Sequence, residues 1–299
     1  MRVTVRVPAT VANLGPGFDI LALAVQLQNE VEARSDGAGG LTIDPGPGAP
    51  ADLSDPAGNL ICRAYVSACE AAGVPPPGAE LRCRTAIPLG RGLGSSAAAA
   101  LSGVLVANAL AGLGWDENEV ITHAAALEGH SDNVAAAMLG GLAVCVRGGP
   151  VVHLEVPEEL RAVVFLPEGE MSTPLARQVV PHSFSREDAV HNAARCALLV
   201  AAMLTGQLNL LGEAMRDRWH QPARSELMPH VPLLIETALE AGAHGACLAG
   251  SGPSVLALVS GDPAPVAAAM DAVARRSGVA GGSMTYRVRN FGARVDLAP

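Results

Sequence analysis

Residues 88–100 read Pro-Leu-Gly-Arg-Gly-Leu-Gly-Ser-Ser-Ala-Ala-Ala-Ala, with three glycines on alternate positions followed by two serines and an alanine run. The glycines suit a tight turn, and the alanine run predicts a helix directly behind it, over 95–111. Backbone N–H groups in such a turn, with the positive end of the helix dipole behind them, make a site for phosphate oxygens. Three readings compete for it: a Walker loop, a Rossmann fingerprint and a turn that merely starts a helix. A Walker loop needs a lysine, and all 20 basic residues of this chain are arginine. A Rossmann fingerprint fails because Gly90, Gly92 and then Ser95 break it at the third glycine, and its acidic residue would fall at Asp116 or Glu117, which look like a helix start. The missing lysine also excludes Schiff-base and pyridoxal-phosphate chemistry. Arginine must supply every fixed side-chain cation, which suits bidentate capture of a carboxylate or a phosphate.

Two polar constellations stand apart from this turn. Asn13 and Asp19 flank Gly15-Pro-Gly17, and an aspartate offers a charge-assisted partner to an ammonium group. For Asn13 the rival reading is an Asx-turn that only shapes the loop. His130 and Asp132 form a polar pair ahead of an apolar helix, where Asp132 also fits as a plain N-cap of residues 133–139.

These groups must be positioned by a mixed set of elements. Periodicity predicts strands over 2–7, 20–33 and 80–87, a helix over 59–72, a second helix from an Asp116 cap to about residue 128, and strands over 141–147 and 151–156. The second half should hold a strand at 160–166, helices at 186–205 and 208–219, and strands near 246–248, 254–259 and 284–288. Strands in clusters favour an α+β fold over a regular βαβ array, with a boundary near residue 157. The Pro/Gly-rich residues 44–56 read as a loop excursion. With 299 residues, 49% of them apolar, the chain can bury one core or two that share an interface. A net charge of −9 argues against nucleic acid or an anionic membrane as partner. No long apolar run and no signal-like N-terminus is present, so a cytoplasmic protein is expected. Six scattered cysteines without a C-x-x-C pair signal neither a disulfide framework nor a zinc knuckle.

The segment 88–97 resembles the phosphate motif P-x-x-x-G-L-G-S-S-A of the GHMP kinases. Three more segments agree. Val7-Pro-Ala-Thr-Val-Ala-Asn-Leu-Gly-Pro-Gly-Phe-Asp-Ile-Leu-Ala-Leu23 is similar to the opening of the homoserine kinases of that family, Leu127-Glu-Gly-His-Ser-Asp-Asn-Val-Ala-Ala-Ala-Met-Leu-Gly-Gly141 to their E-G-H-x-D-N-V-A segment, and Gly245-Ala-Cys-Leu-Ala-Gly-Ser-Gly-Pro-Ser-Val255 to the third glycine-rich motif. The resemblance implies a two-domain α+β kinase, with an N-terminal domain like domain 2 of ribosomal protein S5 (1–157) and a C-terminal ferredoxin-like α/β sandwich (158–299). It implies ATP and Mg²⁺, a homodimer, and phosphorylation of the L-homoserine hydroxyl on the way to threonine. Phosphorylation of mevalonate, a sugar or a diphosphocytidyl sugar alcohol is the nearest alternative; a nicotinamide-dependent dehydrogenase and an inactive binding module are more distant ones. Carried over residue by residue, Pro88, Leu89, Gly90, Arg91, Gly92, Leu93, Gly94, Ser95, Ser96, Ala97 and Ala98 line the nucleotide phosphates. Ser96 and Glu128 hold the metal, and Asp132 acts with them in catalysis. Asn13, Asp19, His130 and Asp132 meet the acceptor. Arg177, in an S-T-x-x-A-R segment, and Arg224, in a P-x-R segment, clamp its carboxylate, with Gly250 and Ser251 adding N–H donors; Arg218 competes with Arg224. Asn59 and Arg63 are the candidates for the adenine pocket.

Overall fold

The structure, a computed structural model, describes residues 1–35 and 39–298. It opens with two long strands, β1 (Arg2–Asn13) and β2 (Gly17–Arg34). In β1, Val3, Val5 and Val7 are buried while the residues between them are half-buried, the period-two pattern of a strand with one face on a core. From Val7 to Asn13 every residue is buried, and a register shift at Pro8/Ala9 bends the strand as it enters the interior. There follow β3 (Leu41–Asp44), α1 (Leu60–Ala71), β4 (Ala79–Arg84), α2 (Ser95–Leu110), α3 (Glu117–Glu128), α4 (Asp132–Leu139), and the hairpin of β5 (Leu142–Cys145) and β6 (Val151–Leu154). The 18 residues of β2 serve two further neighbours: residues 21–23 pair with β5 and residues 30–34 with β4, both antiparallel, while β3 lies parallel to β4. Helix α2 is apolar on nearly every side and buried accordingly, as a helix without a polar face must be.

The second half contains β7 (Leu160–Pro167), α5 (Thr173–Gln178), α6 (Arg186–Thr205), α7 (Leu211–Ala214), α8 (His220–Ser225), α9 (His230–Glu240), β8 (Gly245–Leu248), β9 (Val255–Ser260), α10 (Ala264–Arg276) and β10 (Gly281–Arg287). Its sheet runs β10-β7-β9-β8, antiparallel throughout, which is the strand order of a ferredoxin-like split β-α-β. The last strand, β11 (Arg294–Ala298), leaves this unit and pairs antiparallel with β1 at the edge of the seven-stranded first sheet. The α+β architecture agrees with the sequence expectation.

One expected helix does not form as read. Residues 208–219 break into a 3₁₀ turn, the single turn α7 and an irregular link before α8. The cause is Asp217, whose carboxylate accepts from the backbone N–H of Trp219 and Gln221 at 3.0 and 2.7 Å and so competes with continued helical bonding. The larger hydrophobic cluster draws on both halves, from Leu101 and Leu142 to Leu199 and Leu211; a smaller one, with Phe165, Leu234 and Met270, lies beneath α9 and α10. Among the described residues no helix is long and apolar enough to cross a membrane.

Candidate active site

The glycine-rich turn sits where three segments meet. Thr10 of β1 donates its N–H to the Leu93 carbonyl at 3.2 Å, and Gly250 donates to the Ala12 carbonyl at 3.2 Å. Gly92, at φ +74°, lies so close to the third glycine motif that a Cβ there would stand 2.1 Å from the Ala249 carbonyl oxygen. Gly94, at φ +68°, is the N-cap of α2 and offers no side chain to the first turn. The first N–H to find a helical acceptor is that of Ala98, on the Gly94 carbonyl at 2.9 Å. The N–H groups of Ser95, Ser96 and Ala97 therefore end the helix uncapped, the arrangement an anion completes. Pro88, Gly90, Arg91, Gly92, Leu93, Gly94, Ser95, Ser96 and Ala97 all line a cavity of about 110 Å³. Leu89 faces the adjoining cavity instead, and Ala98 lines neither, because its methyl is buried and its N–H is spent inside the helix. Arg91 reaches across to the second half, donating from Nη2 to the Glu168 carbonyl at 2.7 Å.

Opposite the turn, α3 ends at Glu128 and α4 begins at Asp132. The Ser96 hydroxyl donates to Glu128 Oε1 at 2.6 Å. Asp132, 2% exposed, accepts on Oδ1 from His130 Nδ1 and from the Asn133 backbone N–H, both at 2.7 Å. The bond to Asp132 raises the His130 pKa above its ordinary 6.5, burial opposing it. The N-cap of α4 is Ser131, so Asp132 does not act as that cap. The next residue, Asn133, accepts from the Thr10 hydroxyl at 2.8 Å and lines the cavity; neither residue was singled out from sequence, although each stands inside a quoted motif.

At the other end of the cavity the Asn13–Asp19 loop meets the two arginines. Both ends of the Asn13 amide are engaged, Oδ1 with the Asp19 N–H at 3.1 Å and Nδ2 with the Gly250 carbonyl at 3.0 Å, so its side chain braces the loop, but through a bond to the sixth residue on and not the second-residue bond of an Asx-turn. Asn13, Leu14 and Asp19 all have positive φ, which that bracing holds in place. Asp19 and Arg177, assigned from sequence to opposite ends of an acceptor, are joined in a bidentate ion pair at 2.8 and 2.9 Å. Arg224, 2% exposed, donates Nε to the Ala176 carbonyl and Nη1 to the Gly250 carbonyl, each at 3.0 Å. Among the described residues it has no acidic partner. Burial, and next the positive charge of Arg177, pull its pKa down to about 10. Phe18, unread from sequence, lies beneath both arginines at 5.4 and 5.2 Å. Gly250 and Ser251 close this end, the Ser251 hydroxyl 3.3 Å from that of Thr173. Arg218 is held at the surface by Glu187 and Asp188.

A second cavity of about 540 Å³ adjoins the first through Pro88, Gly90, Arg91, Ser95 and Ser96. The Pro/Gly-rich excursion forms one wall, with Pro45, Pro47, Pro50 and Leu53, and Ile61 and Ile87 add apolar surface. Asn59 lines it too, but its side chain is bonded as the cap of α1, to the Ile61 N–H and the Leu53 carbonyl. Arg63 is exposed on α1 outside this wall.

Family models match both halves of the chain: GHMP kinases N terminal domain over residues 59–141 and GHMP kinases C terminal over residues 199–278. The sequence is 44% identical over 268 residues to a homoserine kinase of Thermus thermophilus, covering 89% of this chain and 90% of that one. It is 42% identical over 280 residues to a homoserine kinase of Moorella thermoacetica, covering 92% and 93%. The crystal structure of homoserine kinase from Cytophaga hutchinsonii superposes with a TM-score of 0.88 at 31% identity over 99% of this chain and 97% of that one. Matches in both halves, together with relatives of this identity over most of the length, agree with the phosphate turn and its surroundings: the chain belongs to the GHMP kinase family.

Proposed function

We propose that this kinase transfers the γ-phosphate of ATP to the side-chain hydroxyl of L-homoserine, giving O-phospho-L-homoserine. The observation that carries the choice of acceptor is Arg224, a buried cation on the cavity wall whose bonded partners are all neutral. A buried charge is costly without a counter-charge. A carboxylate on the acceptor supplies that charge, and homoserine has one. The Asp19–Arg177 pair beside it supports the same reading, because an α-amino acid carries an ammonium for Asp19 and a carboxylate for the arginines on neighbouring atoms. Mevalonate lacks the ammonium, and galactose lacks both.

The residues fit Mg²⁺ with ATP. Ser96 Oγ and Glu128 Oε1 stand 2.6 Å apart as two hard oxygen donors, and among the described residues no group of three or more His, Cys, Asp or Glu side chains could hold a metal. That is the donor set of an ion that takes one or two protein oxygens and fills its remaining positions with water and phosphate. Ser96 and Glu128 would hold it, and the chemistry it supplies is neutralisation of phosphate charge. The chain's own groups do the rest. The turn 90–97 offers N–H donors to the phosphates, the 540 Å³ cavity takes the base, and the arginines with Asp19 fix the acceptor so that its hydroxyl lies beside Asp132. Phosphoryl transfer through a loose transition state needs little early deprotonation, so alignment and charge neutralisation carry most of the rate.

An assay of ADP release over L-homoserine, mevalonate and galactose tests the assignment. Turnover dependent on L-homoserine and Mg²⁺ is expected, and faster turnover with either other acceptor overturns it. Arg177→Ala should raise the homoserine KM about tenfold or more, since a charge-assisted bond contributes about 1.5–3 kcal/mol, while the ATP KM changes little. Against an acceptor alcohol without a carboxylate the loss should be smaller; equal losses would make Arg177 structural.

A further inference from the structure

We propose that His220 is a positioning residue of the acceptor site, held neutral with its proton on Nε2, locking Arg224 and the Gly15 loop into one arrangement. The inference rests on the acceptor assignment above and adds to it a residue that contacts no substrate.

His220 begins α8 and is fully buried. Its Nε2 lies 2.7 Å from the Gly15 carbonyl oxygen, which can only accept, so Nε2 carries a proton. Its Nδ1 lies 3.2 Å from Arg224 Nη1, and a guanidinium can only donate, so Nδ1 presents a lone pair. Two independent partners thus dictate the same tautomer, and neither admits a second proton. The ring also stacks on Phe18 at 5.2 Å, the residue beneath both arginines.

The surrounding charges agree. Burial, then Arg224, push the imidazole down to about 4, against the pull of Asp217 and Asp19. Asp217 Oδ2 is 3.5 Å from Nε2, but the carboxylate is already taken up by Asn192 Nδ2 at 2.6 Å and by the Trp219 and Gln221 N–H groups. Cys247 of β8, near the same Gly15 backbone, is held as a neutral thiol by burial. The consequence falls on Arg224. Nε is bound to Ala176, and Nη1 is shared between Gly250 and His220, so among the described residues Nη2 is the nitrogen left without a protein partner. One side chain therefore fixes the arginine that takes the acceptor's anion and, through Gly15, the loop that carries Asp19.

The test uses the full chain and two substitutions that each keep half of the imidazole's bonding. His220→Gln can place an amide N–H near the Gly15 carbonyl but offers no acceptor at the Nδ1 position; His220→Asn can place a carbonyl oxygen there. We expect His220→Gln to raise the L-homoserine KM about tenfold with the ATP KM within about twofold, and His220→Asn to recover most of that loss, the size of one charge-assisted hydrogen bond. Equal changes in both KM values, or no change in either, overturn the proposal. The ¹⁵N spectrum of histidine-labelled wild-type protein should show one imidazole protonated on Nε2 only and not titrating between pH 5 and 8 (a window around the ordinary histidine value of about 6.5). A proton on Nδ1, or titration near the ordinary value, overturns it even if neither variant folds. Failure of the wild type to turn over L-homoserine would instead sink the acceptor assignment, leaving the spectrum to decide the role of His220.

Discussion

The role of Asp132 turns on where its hydrogen bonds fall. Both reach Oδ1, from His130 and from the Asn133 N–H, so the carboxylate is fixed in place as a group that orients the acceptor hydroxyl. Asp132→Asn keeps the shape and removes the charge. We expect a fall in kcat smaller than the ~10²–10⁴-fold typical of a lost general base, accompanied by a higher homoserine KM. A larger fall with the KM unchanged, in steady-state kinetics at saturating ATP, would make Asp132 a true base. Residues of this kind were legible in the sequence because their chemistry is typed: a glycine where the backbone must approach closely, a carboxylate before a helix. Phe18 and His220 were not, since a phenyl ring or an imidazole in the core is ordinary and only its neighbours make it functional. Arg218 and Arg224 stand six apart with the same composition, and what separates them is that one is held at the surface by Glu187 and Asp188 while the other is buried.

Elements position these residues by contact between segments far apart in the chain. The turn before α2 is pressed against the residues that follow β8, and Gly92 is the point of contact. Gly92→Ala adds a Cβ at φ +74° and 2.1 Å from the Ala249 carbonyl oxygen, so backbone on one side must move. The left-handed conformation alone costs about 1–2 kcal/mol for a residue with a Cβ. We expect a melting temperature several degrees lower and an ATP KM raised about tenfold or more, the displaced turn being the phosphate site itself; a variant with the wild-type values of both would show that the turn tolerates movement. The same long-range character explains which elements the sequence hid. Helix α9 carries a stripe of Val231, Leu234 and Ala238 at helical spacing, and the sequence reading passed over it. By contrast β11 is exposed along its whole length, so it lacks the alternation that marks a strand and is defined by its pairing with β1. The apolar spacing of 208–219 continued through Asp217, and only the capture of two N–H groups by that carboxylate, a tertiary arrangement with Asn192, ends it.

For the molecule as a whole, two histidines titrate in opposite directions and bound its stability against pH from both sides. His130 has a folded pKa above 6.5, through its bond to Asp132. Its contribution is complete below 6.5 and is lost as pH rises through the raised value, because the folded state then releases a proton that the unfolded state has already lost. His220 has its folded pKa lowered from 6.5 to about 4 by burial. Between those values the unfolded chain binds the proton and the folded chain does not, so stability falls as pH drops from 6.5 toward 4, by an amount on the order of 3 kcal/mol at most. Thermal denaturation of wild type, His130→Gln and His220→Gln across pH 4 to 9 separates the two. The melting-temperature advantage of wild type over His130→Gln should shrink as pH rises above 6.5. The wild-type curve should fall more steeply than that of His220→Gln on the acid side, since the variant no longer holds an imidazole away from its proton. Parallel curves for wild type and either variant would show that the corresponding histidine does not couple folding to protonation.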